Sequence, residues 1–129
     1  EIEMGHNQQA SHSKVQSLRT KRQYFKQRWR DFFKHFDVLL CPIMPMTAFK
    51  HDHRDMLERK ININGVDRDL WSSISWAGLI IFADLPSTVV PIGRDSSGMP
   101  CGMQLVSNHW QDLQTIEVGK MLERLGFGF

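Results

Sequence analysis

A serine hydroxyl turns nucleophilic only beside a base, and the oxyanion it generates needs N–H donors aimed at it. Ser96-Ser97-Gly98 supplies the hydroxyls, but a plausible base lysine is missing, and Gly98 with Pro100 marks the stretch as a turn. It reads as a solvated hairpin tip, and no catalytic residue is expected in the chain. Cys41 or Cys101 could pair with a histidine as a thiolate. Both cysteines fall in predicted strands, and His109, the candidate base, opens the last helix, so inert thiols are the expectation. His51 and His53 would point to one side of an extended segment, yet no third or fourth ligand follows at a recognisable spacing. No metal is therefore expected. Among the carboxylates, Asp52 and Asp55 lie in a solvated loop, while Glu117 and Glu123 sit where Lys120 or Arg124 can pair with them along a helix.

The elements that must position these groups follow from periodicity. Val15, Leu18, Phe25, Trp29, Phe32 and Phe36 recur at steps of three and four, interrupted by Arg22, which predicts an amphipathic helix of about six turns. Phe36 to Pro42 is a short apolar run bounded by Asp37 and Pro42, as in a buried strand of a sheet covered on both faces. Residues 46–69 are polar, and Asn64-Gly65 between alternating residues predicts a small hairpin with a type I′ turn. Leu70 to Phe82 is apolar nearly all round, which predicts a buried helix capped by Asp67 or Asp69. Ser87 to Ile92 and Met103 to Val106 flank Asp95-Ser96-Ser97 as the arms of a second hairpin. A last helix is expected from about His109 to Leu125, capped by Asn108 and ending at Gly126, with Gly119 marking a close backbone approach. The fold class is α/β.

Composition narrows the function classes. A chain of 129 residues with 41% hydrophobic content supports one domain with a modest core. Two cysteines are too few for a disulfide framework, and no leader with a charged start and apolar middle is seen, so a cytoplasmic setting is expected. The longest apolar run, Trp76 to Ala83, is far short of the roughly 20 residues that span a bilayer, so no membrane partner is expected. The chain opens at Glu1 rather than methionine, which is compatible with a piece of something longer. Eight of the 16 Lys and Arg residues fall between Lys14 and Lys34. Basic side chains interleaved with aromatics can bind nucleic acid. Here the rings share one stripe and the charges the other, so a solvated face is expected and nucleic acid is not; a non-catalytic module using helix 14–34 on nucleic acid or an acidic partner is the alternative.

Trp29, Phe32 and Phe33 lead into Asp37-x-Leu39-Leu40-x-Pro42 and then Pro45. Further on, Leu85, Pro86, Val90, Pro91 and Gly93 are followed by Gly98, Pro100, Gly102, Gln104 and Val106. These two motifs, in this order, resemble those of the amidase-signature hydrolases, the second matching the family's closing strand pair. Departures exist: Ile81 and Asp84 stand where many members carry Asn and Gly, and Ser87 replaces a frequent Ala.

The resemblance covers residues from about 13 to 129 and the last quarter or third of a usual member. It implies the C-terminal portion of a mixed sheet flanked by helices, as a single segment 1–129 whose first residues, 1–12, are flexible. It further implies a parent enzyme that cleaves a carboxamide of a small molecule through a seryl acyl-enzyme, with no metal and no organic cofactor. The serine nucleophile, its cis-peptide serine partner and the lysine base would lie upstream, on a missing N-terminal catalytic part, so the chain alone should be inactive. The segment between the two motifs would help to line the substrate cavity, with Met46, Trp71, Trp76 and Ile80 as candidates. A transamidating amidotransferase component handling glutamine on a tRNA-linked substrate is the alternative within the family, and a homodimer is left open.

Overall fold

The structure is a computed structural model that describes residues 11–128. Residues 1–10, most of the stretch expected to be flexible, lie outside the described residues. Ser11 accepts the Lys14 backbone N–H at 3.3 Å and caps helix α1 (His12–Phe32). Four residues form β1 (Leu39–Pro42), a short hairpin follows as β2 (Lys60–Ile63) and β3 (Val66–Asp69), and a 3₁₀ turn (Leu70–Ile74) leads into α2 (Ser75–Ala83). The long hairpin β4 (Ser87–Arg94) and β5 (Pro100–Val106) precedes α3 (Asp112–Arg124).

β1, β5 and β4 form an antiparallel sheet with β5 in the centre, where Val106 faces both Leu39 and Ser87. The β4 strand is irregular between Pro91 and Gly93, and Gly93 takes φ +136° there, a conformation only glycine adopts readily. β2 and β3 form a separate two-stranded sheet. Asn64 and Gly65 take φ 53° and 82°, as a type I′ turn requires, and the Gly65 N–H donates to Asn62 Oδ1 at 2.9 Å.

The core is built where the sheet meets α1 and α2. Cys41, Ile80, Ala83, Leu85 and Val106 are buried together, with Phe25, Trp29, Phe33, Leu39 and Trp76 packed against them. On the other side α3 lies across β4 and β5. Its Gly119 is buried, and a Cβ there would stand 3.1 Å from Val90 Cγ1, which is the close approach anticipated from the sequence.

Several local expectations are corrected. The stretch expected as one buried helix is a 3₁₀ turn followed by a nine-residue helix with only Ile80 and Ala83 of α2 buried; Ile81 is 72% exposed and Phe82 48%. A helix is round, and the sheet with α1 covers one side of it. No residue of α1 is buried, and its stripe packs through Phe25, Trp29 and Phe33 while Leu18 stays exposed. Burial alternates along β1 because only one of its faces meets the core, so Cys41 is buried while Leu40 is 48% exposed. Asp69 stands at the N-cap position of the 3₁₀ turn, as expected, but its side chain makes no cap hydrogen bond and pairs with Lys60 instead, while Asp67 accepts from Asn62 Nδ2 at 2.9 Å. Asn108 instead accepts the His109 N–H at 2.9 Å, the chain reverses through Trp110 at φ 63°, and α3 starts three residues later than expected, after Gln111. Among the described residues no helix is long and apolar enough to cross a membrane.

Candidate functional site

Residues 43–52 run from the end of β1 past the small hairpin and divide two clefts. One, of about 700 Å³, is lined by Met46, Phe49, Lys50, Asp52, Arg59 and Ile61, among others, and its floor is the Ile61 side of β2 and Leu70 of the 3₁₀ turn. The other, of about 420 Å³, lies on the opposite side of the same segment, between Ile43, Met46, Phe49 and the start of β5 at Pro100–Gly102. Met46 and Phe49 belong to both walls.

The dividing segment is fixed from the hairpin tip. Asp95 accepts the Thr47 hydroxyl at 2.7 Å and the Ser97 hydroxyl at 2.6 Å, and the backbone N–H groups of Ser97 and Met99 donate to it at 2.9 Å. These donors, led by the Ser97 hydroxyl, hold the Asp95 carboxyl well below its ordinary 3.8. Ser97 is thus structural: it closes an Asx turn, and its hydroxyl donates to a carboxylate that is itself held ionised.

The sequence-predicted pocket residues separate in space. Met46 faces the clefts. Trp71 is half-buried in the 3₁₀ turn, Trp76 packs against the central core, and Ile80 is a member of that core at 3% exposure. Other candidates resolve similarly. Cys41 is buried and accepts from Gln104 Nε2 at 3.4 Å, whereas Cys101 is half-buried at the start of β5. The His51 and His53 rings stack at 6.1 Å, and no group of three or more potential metal ligands occurs among the described residues. Lys120 donates to Glu117 at 2.7 Å on the outer side of α3. Both ring nitrogens of His109 are enclosed without a hydrogen-bond partner among the described residues.

The charges around the larger cleft were not legible from sequence. Arg54 grips Asp52 through Nε and Nη2 at 2.6–3.1 Å, which lowers the Asp52 carboxyl to about 2. Lys60 is matched by Asp69. Lys50 and Arg59 also line the cleft, and among the described residues neither forms an ion pair. Nothing in the sequence links the two, and only the return of β2 against segment 46–52 gathers them.

On the basic helix, Arg22 and Lys26 both reach the carboxylate of Asp84, and Arg22 Nε donates to the Phe82 carbonyl at 2.9 Å. The Lys26 hydrogen bond, more than any other cause, lowers the Asp84 carboxyl below its ordinary value. Part of the positive stripe is therefore engaged inside the chain, holding α1 to the end of α2.

Comparison with known proteins converges on one family. Residues 1–116 match the family described as Amidase. The chain is 34% identical over 118 residues to the A component of the glutamyl-tRNA(Gln) amidotransferase of Rippkaea orientalis (strain PCC 8801 / RF-1), covering 89% of this chain and 21% of that protein. A bacterial aryl acylamidase of the amidase-signature enzymes superimposes with a TM-score of 0.74 at 25% identity, over 91% of this chain and 24% of that one. A component of a vestigial complex linked to the origins of an s-triazine catabolic enzyme shares the fold, with a TM-score of 0.79 at 20% identity over 93% of this chain and 26% of that one. The chain spans about a fifth of the curated relatives it matches and about a quarter of these structures. Its α/β fold, its two ordered motifs and the match over residues 1–116 agree, and the chain belongs to the amidase, or amidase-signature, family.

Proposed function

We propose that this chain is the closing segment of an enzyme that hydrolyses a carboxamide C–N bond, with the bond-breaking serine pair and lysine supplied by polypeptide outside these residues. The observation that carries the reading is the extent of the match: nearly the whole chain aligns to a fifth of each relative's length. The uncovered apolar surface of α2, with Leu79, Ile81 and Phe82 exposed, supports it, because such a face gains stability when another layer covers it. In the parent, a serine would attack the amide carbonyl, the amine would leave with a proton from the lysine relay, and water would release the acid.

In this reading the segment shapes the chamber rather than breaking the bond. Met46 borders it directly, whereas Trp71 lies in the 3₁₀ turn and Trp76 and Ile80 act from a distance by fixing α2 on the core. The experiment is an amide-hydrolysis assay on the chain alone and joined to the catalytic region encoded upstream in its own gene. We expect turnover only in the joined protein. Amide hydrolysis by the isolated 129 residues would overturn the reading, as would an inactive joined protein that is folded.

A second reading within the family, the glutamine-handling component of an amidotransferase, is favoured by the 34% identity to a protein of that kind. The joined protein would then release ammonia from glutamine in preference to simple aryl or alkyl amides.

A further inference from the structure

We propose that the larger cleft binds an amphipathic organic carboxylate, Lys50 and Arg59 taking the charged head and Met46, Phe49, Ile61 and Leu70 the apolar tail. The inference goes beyond amide cleavage and does not need it, since binding is measured without turnover. Its first support is the charge balance of the walls. Lys60 is paired with Asp69, and Asp52 is paired with Arg54, so these four charges cancel locally. Lys50 and Arg59 are left over. Arg59 keeps one N–H on the Arg54 carbonyl at 2.8 Å, which fixes the guanidinium while its other donors stay available, and its influence on Asp52 is only the weakest of the causes lowering that carboxyl. Both cations are unneutralised in a concave site, where a carboxylate is the matching group.

The second support is the apolar part of the same walls. Phe49 is half-exposed, Met46 and Leu70 are half-buried, and Ile61 closes the floor. Exposed aromatic surface beside uncompensated cations favours a ligand with both characters over a purely ionic one. The cleft volume of about 700 Å³ lies inside the range of about 300–1,000 Å³ usual for small-molecule sites. His51 is stacked on His53, and the charges facing the site are those of Lys50, Asp52, Arg59 and Lys60.

The test is isothermal titration of the joined protein, and of the 129-residue chain once far-UV circular dichroism shows it folded, with sodium octanoate, octanol and octylammonium at low salt. We expect saturable binding of octanoate, weakened by added sodium chloride, and none of octylammonium. Lys50→Gln should weaken octanoate binding about tenfold, the loss of one charge-assisted hydrogen bond. Arg59→Gln should do the same and Arg59→Lys should recover part of it. Lys50 is exposed, so Lys50→Gln should leave the far-UV circular dichroism unchanged. Absence of octanoate binding, equal binding of octanol or octylammonium, or unchanged affinity in a folded Lys50→Gln protein would each overturn the proposal.

Discussion

Leu85 donates its backbone N–H to the Ile80 carbonyl at 3.2 Å, and the two side chains are buried in the same core cluster. Between them Asp84 sits at φ 54°, ψ 40°, and its own N–H meets the Ile81 carbonyl at 3.1 Å. This is a Schellman ending with its accompanying hydrophobic contact, and an aspartate fills the left-handed position that glycine usually takes. Arg22 and Lys26 of α1 close on the same aspartate, so one residue both ends α2 and ties it to α1.

Substitutions at Asp84 should therefore rank by backbone tolerance as well as charge. Asp84→Gly loses the ion pairs but removes the strain of a left-handed non-glycine residue; Asp84→Asn keeps a side chain that tolerates this conformation; Asp84→Ala loses both advantages. The expected order of melting temperature is Gly, then Asn, then Ala. An alanine variant as stable as the glycine one would show that the left-handed conformation is not what matters.

Asp95 gives a pH prediction. Its folded carboxyl is held below the ordinary 3.8 by hydroxyl and amide donors, so its contribution to stability is present above that value and lost as the pH falls below it. Thr47→Val removes one donor, and the carboxyl should then titrate at higher pH. A carbon-detected NMR titration measures it; an Asp95 midpoint at or above 3.8 in the unaltered chain would refute the network.

Leu105 is fully buried in the central strand β5, near Gly119 of α3. Leu105→Ala should cost about 2–5 kcal/mol, the usual range for truncating a buried leucine. Urea denaturation of both proteins reads it, and a cost under about 1 kcal/mol would mean that the sheet does not pack as described.

Gly119 sets how close α3 lies to β4. Alanine there gains about 1 kcal/mol of helix propensity, which offsets much of the contact with Val90 at 3.1 Å. Gly119→Ala should be nearly neutral. Gly119→Val adds further atoms against the same neighbour and should destabilise by about 1–3 kcal/mol. Equal stability of the two variants in urea would contradict the close approach.

The sequence alone determined the features that are local. Alternation with Asn64-Gly65 determined the small hairpin, because its turn needs positive φ at neighbouring residues and few other pairs supply it. Ser87 to Val106 read as a hairpin for the same kind of reason, and the ordered motifs around Asp37 and Pro86 placed the chain in its family. Tertiary structure decided what depends on partners distant along the chain. It showed that Ile81 and Phe82 are uncovered although their helix is apolar all round, because burial depends on what lies opposite and not on the residue itself. It left Asp69 at its expected N-cap position but turned its side chain to Lys60, and it made Asp84 the joint of α1 and α2. It also gathered Lys50 and Arg59 around one cleft, since charges become a site only when the backbone brings them to the same wall.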